Sequence, residues 1–192
     1  AADEVIGFEE AMEETNFAAL AKKYLKGTAE NKPWAGYWFD YKSNGIAANT
    51  GDELAATQKY DELMRRRGAR SSHTWEMENH GSKLEGVQDW WGHCNGWTAA
   101  ALLEKEPRRT KIIEGIRFTV ADQKALLSET HMEVSTDFLG TRHDDKRGVR
   151  TPSYLDVVPA QFHLAMVNLL GRQKQGMAVD RYTLDEVWNQ PV

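Results

Sequence analysis

The amino-acid sequence predicts an α+β fold in which a helical N-terminal part packs on a small β-sheet part. The order of elements supports this, because helix-like patterns fill the first half and strand-like segments come later. With 192 residues, of which 41% are hydrophobic and 28% charged, the chain can bury a core. We expect a single domain over 1–192, with lobes at about 1–110 and 111–192.

The first lobe is predicted to hold two helical regions separated by an aromatic loop. Residues 3–26 have an acidic amphipathic pattern that Gly27 ends. The turn-rich residues 31–50 predict an ordered loop. Residues 52–67 predict a second helix, and 68–90 predict a loop because few periodic signals occur there. The apolar positions of the first pattern are Phe8, Met12, Phe17, Leu20 and Leu25.

The middle of the chain is predicted to alternate between helix and strand. A helix runs from Cys94 to Lys105 and is ended by Pro107. The apolar, β-branched residues over 112–120 predict a strand. A short helix over 122–129 is expected to follow.

The last part of the chain combines a polar loop, a helix and a strand. Residues 137–153 are rich in Gly, Arg and Asp, which predicts an exposed loop. Pro159 suits the first turn of a helix that ends at Gly171. Residues 177–179 then predict a short strand that leads into Asp180.

Charge and hydropathy narrow the class of protein. The formal net charge of −5 argues against a general nucleic-acid binder, since such proteins carry basic surfaces. No apolar stretch has the length of a membrane span, so none is predicted. The one cysteine excludes an intrachain disulfide.

That cysteine, Cys94, lies between Gly92 and Gly96 and is followed by a helix-forming run. The pattern predicts a helix N-terminus, where unpaired amides and the helix dipole lower the pKa of a thiol. A thiolate attacks carbonyl carbons, and the same amides can hold the resulting oxyanion. We expect the flanking glycines to keep the sulfur approachable. An inert buried cysteine is the alternative, but the surrounding tryptophan–glycine frame favours a nucleophile.

Two further kinds of side chain are candidates for binding the oxyanion. Gln88 lies six residues before Cys94, the spacing at which papain-like cysteine proteases place an oxyanion-hole glutamine. Trp90 or Trp91 can supply an indole N–H instead.

A cysteine nucleophile needs a histidine to share its proton and a third group to orient that histidine. His163 lies in an apolar run, which favours a base held in a dry cleft. A core histidine bonded to a backbone carbonyl is the alternative. Asp180, at the end of the predicted strand, can accept the imidazole N–H, or can pair with Arg181.

The other five histidines are weaker candidates. His93 is adjacent to the cysteine, and neighbouring side chains at a helix start diverge. His73 and His80 fall in the predicted loop and are expected to be solvent-exposed. His143 has a surface-like charged setting, and His131 has no distinguishing neighbours.

Four segments share a resemblance to one family: residues 187–192, 90–97, 162–171 and 179–181. In that order, they resemble the first half of the elicitor peptide motif and the nucleophile, histidine and aspartate regions of the transglutaminase elicitor family. That family comprises the oomycete Phytophthora-type transglutaminases and bacterial relatives. The resemblance extends over about residues 33–192.

The resemblance implies a papain-like fold and a protein-glutamine γ-glutamyltransferase. Cys94 would be the nucleophile, His163 the general base and acid, and Asp180 the group that orients the histidine. The implied substrates are a protein glutamine and an amine or lysine donor, with deamidation when water is the acceptor. The family also implies that the protein is secreted or periplasmic, as an effector or toxin.

No cofactor is required for this chemistry, but the family implies calcium as an activator. Asp137, Asp144 and Asp145 are candidate oxygen ligands, although no calcium-loop spacing is present. The chain departs from the oomycete enzymes in having a single cysteine and in stopping midway through the elicitor motif. We therefore expect a bacterial relative that is truncated or cleaved at Val192, with an inhibitory or C-terminal segment as a partner.

Three other functions stay open. A papain-like cysteine peptidase or amidase would use the same three residues. A non-catalytic elicitor or binding module would be recognised through its terminal motif. A zinc protein using His73, His80 and Cys94 is the remaining alternative, but we predict no metal site, since the ligand spacing is poorly defined.

Overall fold

The computed structural model describes residues 12–65, 70–140, 157–180 and 189–191, for the last three of which, as for Asp180, only the backbone is described. It divides into two compact units. The cysteine unit comprises Trp34–Ala101 and Lys105–Glu133, and the histidine unit comprises Ala1–Pro33, Leu102–Glu104 and Val134–Val192. These boundaries differ from those of the lobes expected from the sequence, and the single-domain prediction stays a prediction.

The described residues form six α-helices, a 3-10 turn at Gly45–Ala47, a π-helical segment and four short strands. The strands form two antiparallel pairs, β1 with β2 and β3 with β4. None of the helices in these parts of the chain is long and apolar enough to cross a membrane. In chain order the elements are α1 Phe17–Lys23, α2 Ala56–Arg65, α3 Ser72–Asn79, α4 Cys94–Leu103, β1 Lys111–Ile113, β2 Ile116–Phe118, α5 Val120–Thr130, α6 Pro159–Met166, the π-helical segment Val167–Gln173, β3 Ala178–Asp180 and β4 Asn189–Pro191.

The core of the cysteine unit forms where α4 packs beside Trp34 and α5. Trp34 is buried against Ala100 and Ala101, whose small side chains let the indole lie close to the helix. A second cluster joins Ile46 and Ala56 to Ala125 of α5. Both clusters hold α5 in place, and α5 in turn supports α4.

Gly96 sets how closely α4 approaches α5. A Cβ at this position would overlap the carbonyl oxygen of Ser128 and would lie 2.9 Å from the sulfur of Met132. Ser128 is fully buried, so the neighbouring helix has no room to move away. The glycine beside the cysteine therefore serves helix packing, and the expectation that it also keeps the sulfur approachable stays a prediction.

A buried lysine fixes α2 against the start of α5. The ammonium of Lys59 lies 2.7 Å from an oxygen of Asp122 and 3.0 Å from one of Glu53. Burial opposes the charge on Lys59, but hydrogen bonds to both carboxylates raise its pKa above the ordinary value. Asp122 also accepts the backbone N–H of Thr119 while the Thr119 hydroxyl accepts that of Asp122, which forms a capping box at the start of α5.

In the histidine unit, α6 and the π-helical segment pack their apolar side on a small core. Ala165 and Leu169 are buried there. Asn168 is fully buried, and its side-chain amide donates to the carbonyls of Glu14 and Leu164. Asn16 caps α1 by accepting the N–H of Ala19.

The predicted loop over 68–90 is wrong where α3 forms. Ser71 caps this helix by accepting the N–H of Thr74. Asp61 accepts the backbone N–H groups of Ser72 and His73, so a carboxylate also lies at the positive end of the helix dipole. The buried side of α3 is polar, which is why an apolar period does not reveal it.

The predicted strand over 112–120 is a hairpin. β1 and β2 pair through a turn in which Glu114 and Gly115 have positive φ, and the residues from Val120 onward are already helical. α2 begins at Ala56, later than expected, because Glu53 pairs with Thr50 in a bridge. The helix predicted from Cys94 is confirmed, ending at Leu103 rather than Lys105.

The later elements are found close to their predicted positions. Pro159 opens α6, and the helical segment continues through Gly171 to Gln173 as a π-helix. The short strand before Asp180 is confirmed, shifted by one residue. Of the predicted loop over 137–153, residues 141–153 lie outside the described residues.

We predict that Gly96→Ala destabilises the protein by roughly 1–3 kcal/mol, because the added methyl overlaps backbone. Without that overlap, alanine inside a helix would add about 1 kcal/mol of stability. Denaturant unfolding therefore gives opposite signs for the two cases, and a stabilised Gly96→Ala protein would contradict the close approach of α4 and α5.

We predict that Lys59→Met lowers the free energy of unfolding by about 3 kcal/mol, because it leaves the carboxylate of Asp122 without its buried cation. Arg117→Met is the matched control: Arg117 pairs with Glu53 at 2.8 Å, but both side chains are about half exposed. We expect that variant to lose less than about 1 kcal/mol. If urea unfolding gave equal losses of unfolding free energy for the two variants, burial would not strengthen the ion pairs of Lys59.

Candidate active site

Cys94 is the first residue of α4, as the sequence predicts. The N–H of Trp97 already bonds to the carbonyl of His93 at 2.8 Å, so the helix is regular from its first turn. The sulfur lies 3.8 Å from the side-chain oxygen of Asn95. Cys94 is only 6% exposed. The thiol therefore lies at a helix N-terminus and is largely shielded from water.

The segment before Cys94 is held by the aromatic loop over 38–41. The N–H of His93 donates to the carbonyl of Trp38, and the N–H of Tyr41 donates to that of Trp91 at 3.0 Å. A Cβ on Gly92 would lie 2.6 Å from the Trp38 carbonyl oxygen, so glycine is required for this pairing. The position of the sulfur therefore depends on backbone hydrogen bonds made by Trp91 and His93 and on the absence of a side chain at Gly92.

His93 is wholly buried, and both of its ring nitrogens face protein atoms. Nδ1 lies 2.8 Å from the carbonyl oxygen of Phe39. Nε2 lies 2.8 Å from an oxygen of Glu76 and 3.1 Å from one of Glu129. These contacts agree with the argument that His93 is not the base for Cys94.

His80 completes a cluster with these residues. Its Nδ1 lies 3.1 Å from the Glu129 oxygen and 3.7 Å from a Glu76 oxygen. The ring stacks on Tyr41 with centroids 5.2 Å apart. The expectation that His80 lies in an exposed loop is wrong, since it caps the end of α3 with a side chain that is 15% exposed.

His73, expected in the same loop, is also placed differently. It lies in α3, half-buried, with Nδ1 2.9 Å from the hydroxyl of Thr57. The two histidines therefore have different partners. His80 contacts the carboxylates of Glu76 and Glu129, whereas His73 contacts the hydroxyl of Thr57 in α2.

The cluster contains two histidines that can be protonated and two carboxylates. Its members are Glu76, His80, His93 and Glu129. Burial disfavours charge on His93, but the close carboxylates of Glu129 and Glu76 outweigh it and raise the pKa to about 9. Burial has the same effect on His80, and the same two carboxylates raise its pKa to about 9. Burial would raise the pKa of Glu129, but the close imidazoles of His80 and His93 lower it.

His163 lies in α6, as predicted, but on its exposed side. Its ring stacks on Phe17 with centroids 4.9 Å apart and planes inclined by 29°. The expectation of a dry apolar setting is wrong, because helical periodicity turns the buried Ala165 and Leu169 away from residue 163.

Asp180 ends β3, where its backbone pairs with Asn189, and its side chain lies outside the described part of the chain. Cys94 belongs to the cysteine unit, whereas His163 and Asp180 belong to the histidine unit. A catalytic contact among the three residues stays a prediction.

The predicted oxyanion residues lie in the turn before α4. Gln88 is exposed, and its side-chain amide donates to the carbonyl of Gly86 at 3.1 Å. Trp90 and Trp91 are half-buried and pack edge to face with centroids 6.3 Å apart. Their role in binding an oxyanion stays a prediction.

The candidate calcium ligands do not form a described site. Asp137 is exposed, while Asp144 and Asp145 lie outside the described residues. Calcium takes six to eight oxygen ligands, so the cluster with two imidazoles does not suit it. Calcium as an activator therefore stays a prediction.

Sequence reasoning did not single out Glu76 or Glu129. The usable signal for Glu76 is its spacing of four residues before His80, which places both side chains on one face of a helix. No local pattern connects Glu129 to them, since 49 residues separate it from His80.

Comparison with known proteins gives the family. A sequence model described as transglutaminase elicitor matches residues 69–192. The structure is similar to the crystal structure of the GP42 transglutaminase from Phytophthora sojae, with a TM-score of 0.68 and 22% sequence identity. The match covers 98% of this chain and 62% of that one, so the chain spans less than two thirds of its length. No curated protein sequence matches.

The α+β fold class predicted from the sequence is confirmed by that similarity, which shows a transglutaminase-like fold. The segments quoted above for the nucleophile, histidine and aspartate regions all fall within the matched residues. The chain belongs to the transglutaminase elicitor family.

Proposed function

We propose that the protein is a protein-glutamine γ-glutamyltransferase in which Cys94 forms a thioester with a glutamine side chain. The observation that carries this proposal is the position of the single cysteine as the first residue of α4. Family membership and the fold of the GP42 transglutaminase support the same reaction. His163 is proposed as the general base and acid, and Asp180 as the group that orients it.

The start of α4 suits a thiolate. The first amides of a helix have no intrahelical acceptor, and the dipole is positive at this end, so both favour a negative sulfur. The same amides can bind the oxyanion that forms when the sulfur attacks a carboxamide. Gln88 or one of Trp90 and Trp91 would add a donor to that oxyanion.

The reaction proceeds in two steps. The Cys94 thiolate attacks the side-chain carbonyl carbon of glutamine, and His163 protonates the departing ammonia, which leaves a thioester. A lysine or small amine then attacks the thioester carbon, and His163 accepts the proton of the amine. An isopeptide bond forms and the thiolate is regenerated.

Exclusion of water decides between transfer and deamidation. Water attacking the thioester gives glutamate, so an enzyme for transfer must keep water from the acyl group. Cys94 is 6% exposed, and the neighbouring tryptophans are half-buried. This burial favours amine transfer over hydrolysis, but it also requires the surroundings of the sulfur to open for a glutamine side chain.

The same residues would serve a cysteine peptidase or amidase, and a non-catalytic module would not need them.

We place the protein outside the cytoplasm, secreted or periplasmic, as an effector that meets protein substrates there. Calcium is the proposed activator, and an inhibitory or C-terminal segment the proposed partner.

We predict that Cys94→Ala reduces incorporation of a biotinylated amine into casein by about a thousandfold or more, because no other thiol exists in the chain. Lys83→Ala changes an exposed residue of the same unit, so it serves as the control and should keep wild-type incorporation. Residual incorporation by Cys94→Ala at the wild-type rate would refute the proposal.

Mass spectrometry of a glutamine peptide separates the alternative functions in the same assay. Transfer adds the amine, deamidation converts glutamine to glutamate, and a peptidase shortens the peptide. Cleavage without amine incorporation would replace the proposal with a peptidase, and an unchanged peptide in the presence of calcium and amine would favour the non-catalytic module.

We predict that His163→Gln lowers kcat for amine incorporation by about 10²–10⁴-fold, the range for loss of a general acid–base group. Because His163 is exposed, its substitution should change the free energy of unfolding by less than about 0.5 kcal/mol. His73→Gln is the control, a half-buried histidine bonded to Thr57. Full activity of His163→Gln would remove it from the mechanism.

A further inference from the structure

The buried cluster beside the cysteine offers four ligand atoms to one point. One atom from each of Glu76, His80, His93 and Glu129 lies within 4.8 Å of the other three. We propose that these side chains form a binding site for a divalent transition-metal ion, of which zinc fits best. The inference is independent of the proposed transferase activity.

The distances within the cluster suit tetrahedral coordination. Ligands held about 2.1 Å from zinc at tetrahedral angles lie about 3.4 Å from one another. The distances between imidazole nitrogens and carboxylate oxygens in the cluster run from 2.8 to 3.7 Å, with Glu76 presenting one oxygen to His93 and the other to His80. Taken one atom per residue, the four ligand atoms lie within 4.8 Å of one another, so side-chain shifts on the order of 1 Å would bring them to one ion.

The donor set selects the kind of metal. Two imidazoles with two carboxylates match zinc and the later first-row ions, whereas magnesium and calcium prefer ligand sets made of oxygen alone. With both carboxylates ionised and both imidazoles neutral, two negative charges balance one divalent ion. A buried site with no net charge avoids the cost of an isolated buried ion.

Several polar atoms in the cluster are buried without a hydrogen-bond partner, which points to a ligand that binds there. Both oxygens of Glu76 and Nε2 of His93 are buried, and no hydrogen bond of acceptable geometry reaches them. The two side chains are 1% and 0% exposed, so water does not reach these atoms from the surface. Buried polar atoms without partners are costly, and coordination to one cation would satisfy Nε2 of His93 and one of the Glu76 oxygens.

The second ring nitrogen of His93, Nε2, also supports a metal site. A neutral imidazole whose Nδ1 donates to the Phe39 carbonyl carries its lone pair on Nε2, which faces the glutamates. Metal-bound histidines commonly have such a second hydrogen bond to a backbone carbonyl, because it fixes the tautomer and the ring plane.

The site would join three parts of the cysteine unit. Glu76 and His80 lie in and at the end of α3, Glu129 lies in α5, and His93 immediately precedes Cys94. A bound ion would link both helices to the start of α4 and hold the cysteine in position. The metal acts here as a structural ion that positions the thiol and does not touch the substrate.

The test is titration of metal-stripped protein with zinc by calorimetry and with Co²⁺ by visible absorption. We expect one equivalent to bind, a rise in Tm on zinc addition, and a tetrahedral cobalt spectrum without a thiolate charge-transfer band. His80→Gln and Glu129→Gln should each weaken zinc binding at least about tenfold. These two ligands are chosen because they are partly exposed, at 15% and 24%, so the variants should still fold.

Two matched variants identify the ligands. His73→Gln removes a histidine from the same helix and should leave zinc affinity unchanged, as should Cys94→Ser. The proposal is overturned if the wild-type protein binds no metal, if His80→Gln and Glu129→Gln bind zinc as tightly as wild type, or if the cobalt spectrum shows a thiolate ligand. Zinc binding measures the site directly, so its loss is distinguishable from loss of transferase activity.

Discussion

The contacts of the buried His93 imidazole fix the point at which the cysteine-bearing helix begins. Its Nδ1 meets the Phe39 carbonyl, and its Nε2 faces Glu76 and Glu129 on two other helices. The next residue is Cys94, whose freedom is therefore small. A single buried side chain thus connects the aromatic loop, two helices and the candidate nucleophile.

This constraint explains why polar residues occupy a core position. A carboxylate or an imidazole buried alone would be strongly disfavoured, whereas two of each can balance their charges within one cluster. Removal of one member leaves the others with less charge compensation, most severely where the fully buried Glu76 or His93 is lost. Such clusters fix a geometry more sharply than apolar packing, which tolerates exchanges of similar volume.

The sequence revealed the fold class, the helix start at Cys94 and the short strand before Asp180, because each rests on a local signal. It did not reveal α3, since the side of that helix that packs inward carries Glu76 and His80 instead of apolar residues. The setting of His163 was mispredicted because an apolar run does not say which side of a helix faces inward. The meeting of Glu129 with His80 depends on a tertiary contact between distant residues, and no local pattern encodes it.

The central claim is that the sulfur of Cys94 carries the acyl group, and an intact-mass measurement tests it most directly. The protein is incubated with a glutamine peptide and calcium without an amine, quenched in acid and mapped by tandem mass spectrometry. The account predicts an adduct on Cys94 equal to the peptide less ammonia. An adduct on another residue, or no adduct while iodoacetamide still labels Cys94, would contradict it.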